Sequence, residues 1–137
     1  MNIYFACSIT GGRQDEAIYQ QIVRALLEDG HEVPTAILAS PEIGALEDEA
    51  GAEEVYARDV AWIEGCEALV AEVSTPSHGV GYEIGYALGG GKPVLCLHHA
   101  GVKVSKMILG NRDPRLTIHA YDTPAEAIRV LRAYLGG

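Results

Sequence analysis

Short apolar runs, each too brief to be a buried helix and each followed by a turn and a segment of helical period, constrain this chain more than any other feature. Asn2-Ile3-Tyr4-Phe5-Ala6, Ala68 to Val73, Pro93 to Leu97 and Leu116 to Ala120 read as strands, and Glu32-Val33 begins a shorter extended piece. Between them, Ile18, Ile22, Ala25 and Leu26 recur at helical spacing within Asp15 to Asp29, with Gly30 as a C-terminal stop. Residues 52–66 read as a second helix. A third carries Tyr82, Glu83, Ile84, Tyr86 and Leu88 and ends in Gly89-Gly90-Gly91. Thr123-Pro124-Ala125-Glu126 opens the last with a capping box and a proline at the first helical position. Strands alternating with helices predict a doubly wound α/β sandwich with a mainly parallel, five-stranded sheet. At 137 residues the expectation is one domain spanning 1–137.

Charge narrows the partners. Lys plus Arg number 10 against 19 Asp plus Glu, a formal charge of −9, and such a surface repels a nucleic-acid polymer. One small anion in a local pocket stays compatible with it. No apolar run approaches the roughly 18–20 residues of a membrane span, and the N-terminus lacks a signal-peptide pattern. Cys7, Cys66 and Cys96 form an odd, widely spaced set in apolar segments, which suits reduced core thiols. A soluble cytoplasmic protein is the expectation. Histidines 31, 78, 98, 99 and 119 show no metal-ligand spacing, and no G-x-S-x-G elbow is present.

In a doubly wound sheet, ligands bind beyond the carboxyl ends of the strands. Two segments leave strands there with unusual chemistry, Cys7 to Arg13 and Ser74 to Glu83. The first is either an ordinary turn or a place where Ser8, backbone amides and Arg13 surround an anion. It lacks the Gly-Lys-Ser/Thr ending of a Walker loop. In the second, Gly79, Gly81 and Gly85 open a helix at a cost in helix stability, which points to something approaching the backbone. Glu83 is either a surface residue or a carboxylate within reach of a pocket at the helix start. Asp59 falls on the apolar stripe Val55, Asp59, Trp62, Cys66, so it must be paired, protonated or functional. The acid-rich stretch 39–54 reads as a solvated loop and helix start, or as a lid.

Taken together, Ile3 to Arg13, Arg58-Asp59-Val60-Ala61-Trp62 and Ala71 to Gly85 resemble the nucleoside 2-deoxyribosyltransferase superfamily, in particular its hydrolytic branch acting on 2'-deoxynucleoside 5'-phosphates. The likeness runs on to Ser105-Lys106-Met107-Ile108. It implies a flavodoxin-like three-layer sandwich, a homodimer and no cofactor. It also implies cleavage of the N-glycosidic bond of a deoxynucleoside monophosphate. Carried over by position, Glu83 is the nucleophile at the anomeric carbon, Asp59 the acid/base and Tyr4 the tyrosine beside sugar and glutamate. Ser8, Ser77 and Ser105 match serines that hold the 5'-phosphate, Ser105 reaching in from the neighbouring subunit. Ile9, Gly11, Gly12, Arg13 and Gly79 complete the substrate-binding set. Many of these hydrolases carry arginine where this chain has Thr10, so one cationic phosphate contact is absent.

The chemistry agrees with the carry-over. Departure of a base builds oxocarbenium character at C1', which a carboxylate captures, while a carboxylic acid on an apolar helix face protonates the leaving base. A base-exchanging transferase and a non-catalytic nucleotide-binding module on the same fold are the competing readings. Against the first stands Ser77, six residues before Glu83. Transferases tend to place an aspartate there, which would repel a phosphate. Against the second stands the joint presence of Tyr4, Asp59 and Glu83.

Overall fold

The computed structural model describes residues 1–9, 15–40 and 48–136. Strand β1 (Ile3–Ala6) leads to helix α1 (Glu16–Glu28) and a 3-10 turn at Ala36–Ala39. Helix α2 (Ala52–Gly65), β2 (Ala68–Glu72), α3 (His78–Gly89), β3 (Val94–His99), the short α4 (Lys106–Leu109), β4 (Leu116–Tyr121) and α5 (Pro124–Gly136) follow. The strands pair in parallel in the order β1-β2-β3-β4, with Tyr4 opposite Leu69 and Val70 opposite Leu95.

Side chains alternate across the sheet and build two cores. Ile3, Phe5, Val70 and Leu95 point to the layer of α1 and α5, where Ile22, Leu26 and Leu131 are buried. Tyr4, Ala6, Leu69, Ala71 and Cys96 point to the layer of α2 and α3, against Ile63, Ile84 and Ala87. The central strands are buried on both faces, which is why they read as unbroken apolar runs rather than alternating ones. At α5 the Thr123 half of the expected capping box forms, the Glu126 N–H donating to Thr123 Oγ1 at 3.2 Å, while the Glu126 carboxylate accepts from the N–H one residue earlier, that of Asp122, at 3.0 Å.

The expected five-stranded sheet has four strands among the described residues. Glu32-Val33 contributes only a one-residue parallel bridge, Asn2 to Glu32, beside β1. Glu32 donates to the Met1 carbonyl at 2.9 Å and accepts from the Ile3 N–H at 2.8 Å. The next rung of that ladder would need the N–H of residue 34, and Pro34 has none, so pairing stops. The Phe5 N–H, left facing outward, donates instead to the buried Thr35 hydroxyl at 2.9 Å. From β1 the chain packs α1 on one face, then returns through α2 on the other before entering β2. The carboxyl ends of β1 and β2 therefore open into the crevice where such folds bind ligands.

The three cysteines are buried thiols, and that of Cys7 donates to the Leu38 carbonyl. Burial alone pushes the Cys96 thiol up to about 12, so it stays protonated and inert. Among the described residues, no helix is long and apolar enough to cross a membrane.

Candidate active site

The site is built where β1 and α3 meet. Alternation along β1 turns Tyr4 toward α3, and its ring is fully buried. Helix α3 starts where it does because Ser77, in extended conformation, accepts from the Val80 N–H at 3.3 Å as an N-cap. One turn further, Glu83 stands half-buried over β1 and accepts a hydrogen bond from the Tyr4 hydroxyl. Burial and the neighbouring Glu83 carboxylate both push the Tyr4 phenol far above its ordinary value. It is thus a neutral donor at any physiological pH, fixed on one carboxylate oxygen.

Helix α2 supplies the second carboxylate. Asp59 is largely buried, its side chain 17% exposed, and Arg58 Nε donates to Asp59 Oδ1 at 2.8 Å. Adjacent residues on a helix normally diverge. Here the Arg58 guanidinium lies over the Trp62 ring, 5.1 Å from its centroid, and folds back to reach its neighbour. Asp59 is paired, which answers the puzzle of a carboxylate on an apolar stripe.

Both carboxylates face one cavity of about 490 Å³. Its remaining described walls are apolar, from Ile9, Leu38, Val55 and Val80, with Ser77 and Gly79 at the first turn of α3. Tyr56 and Tyr82 stand on the α2 and α3 sides of the cavity, their hydroxyls 3.2 Å apart. Such a chamber suits a flat, largely apolar ring system attached to a centre that two carboxylates attack and protonate. Among the described residues, no group of three His, Cys, Asp or Glu is placed to hold a metal ion.

The nucleoside 2-deoxyribosyltransferase family model matches residues 3–118, a span that includes every element of this cavity. The chain belongs to that family. A Methanosarcina mazei relative, provisionally named a 2'-deoxynucleoside 5'-phosphate N-hydrolase, is 46% identical over 120 residues, 88% of this chain and 74% of its own. The mouse 5-hydroxymethyl-dUMP N-hydrolase is 43% identical over 116 residues, 82% of this chain and 66% of its own. Among solved structures, a CMP N-glycosidase from Clostridium botulinum superposes with a TM-score of 0.74 over 96% of this chain and 98% of its own, at 21% identity. At that identity the likeness is one of fold.

Within this family fold, Tyr4, Glu83, Asp59, Ile9, Ser77 and Gly79 are gathered at or directly behind the cavity. Ser8 is fully buried just past the end of β1. Gly11, Gly12 and Arg13, with Thr10, lie outside the described residues. Ser105 is elsewhere: it is exposed, accepts from the Met107 N–H at 3.2 Å, and lines a second groove of about 810 Å³. Ser77 borders both hollows.

Two features escaped the sequence reading. Arg58 had no assigned role, because its pairing with Asp59 depends on a side chain bent over Trp62. The cavity walls Tyr56 and Leu38 come from segments whose spacing carries no catalytic signature; only their apolar character signalled them.

Proposed function

We propose that this protein hydrolyses the N-glycosidic bond of 2'-deoxynucleoside 5'-monophosphates, releasing free base and 2-deoxyribose 5-phosphate. The observation that carries the reading is the Tyr4–Glu83 hydrogen bond beside Asp59 at one apolar cavity, in a chain whose relatives bear N-hydrolase names. Glu83 attacks C1' as the C1'–N bond breaks, and the electron pair leaves with the base, which takes a proton from Asp59. Water then opens the glycosyl ester, giving its proton to Asp59 and freeing Glu83. Tyr4 holds the Glu83 carboxylate in place and stays protonated throughout.

Phosphate selectivity rests on hydroxyls. Ser8, Ser77 and the Gly11-Gly12-Arg13 segment receive the 5'-phosphate, with Ser105 of a second subunit completing the site of the first in a homodimer. The Ser105 groove supports this, because Lys103 and Lys106 flank that serine and no carboxylate is among the described lining residues. Beyond their own helix, Gly81 and Gly85, one turn apart on α3, face open space among the described residues where a side chain would stand, which supports room for another molecule there. Three reduced thiols suit a cytoplasmic setting.

Incubation with a panel of nucleosides and monophosphates, followed by chromatography for released base, tests the reading. Cleavage of monophosphates to base and deoxyribose 5-phosphate is expected. Equal or better kcat/KM on free deoxynucleosides, or base exchange without net hydrolysis, would assign the chain to the transferase branch.

A further inference from the structure

Glu72 is the one carboxylate that is fully buried among the described residues, and the chemistry above does not use it. It ends β2, two residues before the turn that carries Ser77. Three donors converge on it. The Ser74 N–H donates to Oε1 at 2.8 Å, the Ser74 hydroxyl to Oε2 at 2.8 Å, and the Tyr121 hydroxyl to Oε2. Ser74 Oγ in turn accepts from the His99 N–H at 2.8 Å. One carboxylate thereby ties the start of the β2–α3 turn to the ends of β3 and β4.

The same turn is held from the other side. The Thr75 hydroxyl donates to Asp15 Oδ2 at 2.9 Å, and His99 Nε2 lies 3.3 Å from Asp15 Oδ1. Asp15 is the N-cap residue of α1. Thr75, Asp15 and His99 thus join the β2–α3 turn to the N-terminus of α1 and the end of β3.

A buried carboxylate is costly, and an apolar residue would continue the run Ala68-Leu69-Val70-Ala71 more cheaply. Burial pushes the Glu72 carboxyl up, opposed by its hydrogen bonds from Tyr121 and Ser74. What the carboxylate supplies is geometry: its two oxygens accept from three donors at once and pin the start of the Ser74–Ser77 turn.

We propose that Glu72 is a positioning residue for substrate, acting through Ser74 to fix the turn that presents Ser77 to the cavity. The proposal rests on the monophosphate reading for its kinetic part only. Glu83 is anchored separately, by Tyr4 and by the packing of Val80 and Ile84, so loosening the turn acts on substrate affinity more than on bond cleavage.

The test compares wild type with Glu72→Gln and Tyr121→Phe, the latter removing one donor and leaving the charge. In Glu72→Gln, an amide group must face at least one of these donors, and the KM for a deoxynucleoside monophosphate is expected to rise about tenfold with a smaller change in kcat. Tyr121→Phe is expected to show the same pattern more weakly and serves if Glu72→Gln does not fold. Hydrogen exchange, which needs no substrate, is expected to speed up at the Ser74, Thr75 and Ser77 amides while those of Val70 and Leu95 stay protected. A folded variant with lowered Tm but unchanged KM and unchanged exchange in the turn would reduce Glu72 to a stabilising residue and overturn the proposal. If wild type cleaves no monophosphate, the functional reading fails, and the exchange measurement still decides the positioning.

Discussion

The Tyr4 hydroxyl on β1 donates to the Glu83 carboxylate on α3, joining residues 79 positions apart across the sheet–helix interface. The bond ties the proposed nucleophile to a fully buried strand. Tyr4→Phe keeps the ring packing and removes only the donor. A hydrogen bond to a charged group is worth roughly 1.5–3 kcal/mol, so kcat is expected to fall about 10- to 100-fold with KM little changed. Steady-state release of base measures this. A Tyr4→Phe enzyme with wild-type kcat would show that the phenol has no part in holding Glu83 for attack.

The two carboxylates are expected to fail differently. Glu83→Gln removes the group proposed to meet the developing cation and should abolish base release in a folded protein. Asp59→Asn should be most severe for bases that leave poorly without a proton and mild for those that leave as stable anions. A series of monophosphates graded by leaving-group ability separates them: a flat deficit across the series for Asp59→Asn would take the proton-donor role away from Asp59.

Alkaline stability follows from the buried phenols. Tyr4, Tyr19 and Tyr121 are all raised above the ordinary tyrosine value of 10.0, each by burial first. The folded state therefore keeps protons that the unfolded chain releases. Their contribution is fully present below pH 10.0 and is lost as pH climbs above it. Thermal unfolding followed from pH 8 to 11 should show Tm falling steeply at the upper end, and Tyr4→Phe should flatten that fall. A Tm independent of pH across this range would contradict the protonated, buried state of the three rings.

How much of this was legible in the chain depended on the range of the interaction. Asp59 stood out because a charge on an apolar helical stripe is a local contradiction, visible within one helix. The pairing of Tyr4 with Glu83 had no local signal and entered only through resemblance to a family. Pro34 carried the reason that Glu32-Val33 fails as a strand, but the reason applies only once Glu32 is known to bridge Asn2 in parallel, since that register makes residue 34 the next donor. Glu72 drew no notice inside the strand Ala68 to Val73, because its partner Tyr121 lies 49 residues away and its geometry required the fold.

Ser105 offers the sharpest separation between a site built within one chain and one shared by two. In a single chain it is exposed on the wall of the second groove, away from the carboxylates, beside Met107, which is 85% exposed. If a second subunit brings Ser105 to the phosphate, activity should fall on dilution below the dimer dissociation constant. Ser105 is exposed and Glu83 only half-buried, so both chains should fold and exchange, which circular dichroism and the tagged-chain control check. In a mixed dimer one site carries both lesions, while the other combines the intact Glu83 of the Ser105→Ala chain with the intact Ser105 of the Glu83→Ala chain. Mixing an excess of the Glu83→Ala chain into the Ser105→Ala chain should then raise kcat/KM per intact Glu83 toward the wild-type value, mainly through a lower KM, because a phosphate contact is similar in ground and transition states. With exchange verified by differently tagged chains, activity equal to the sum of the two homodimers would mean that each site is completed within its own chain.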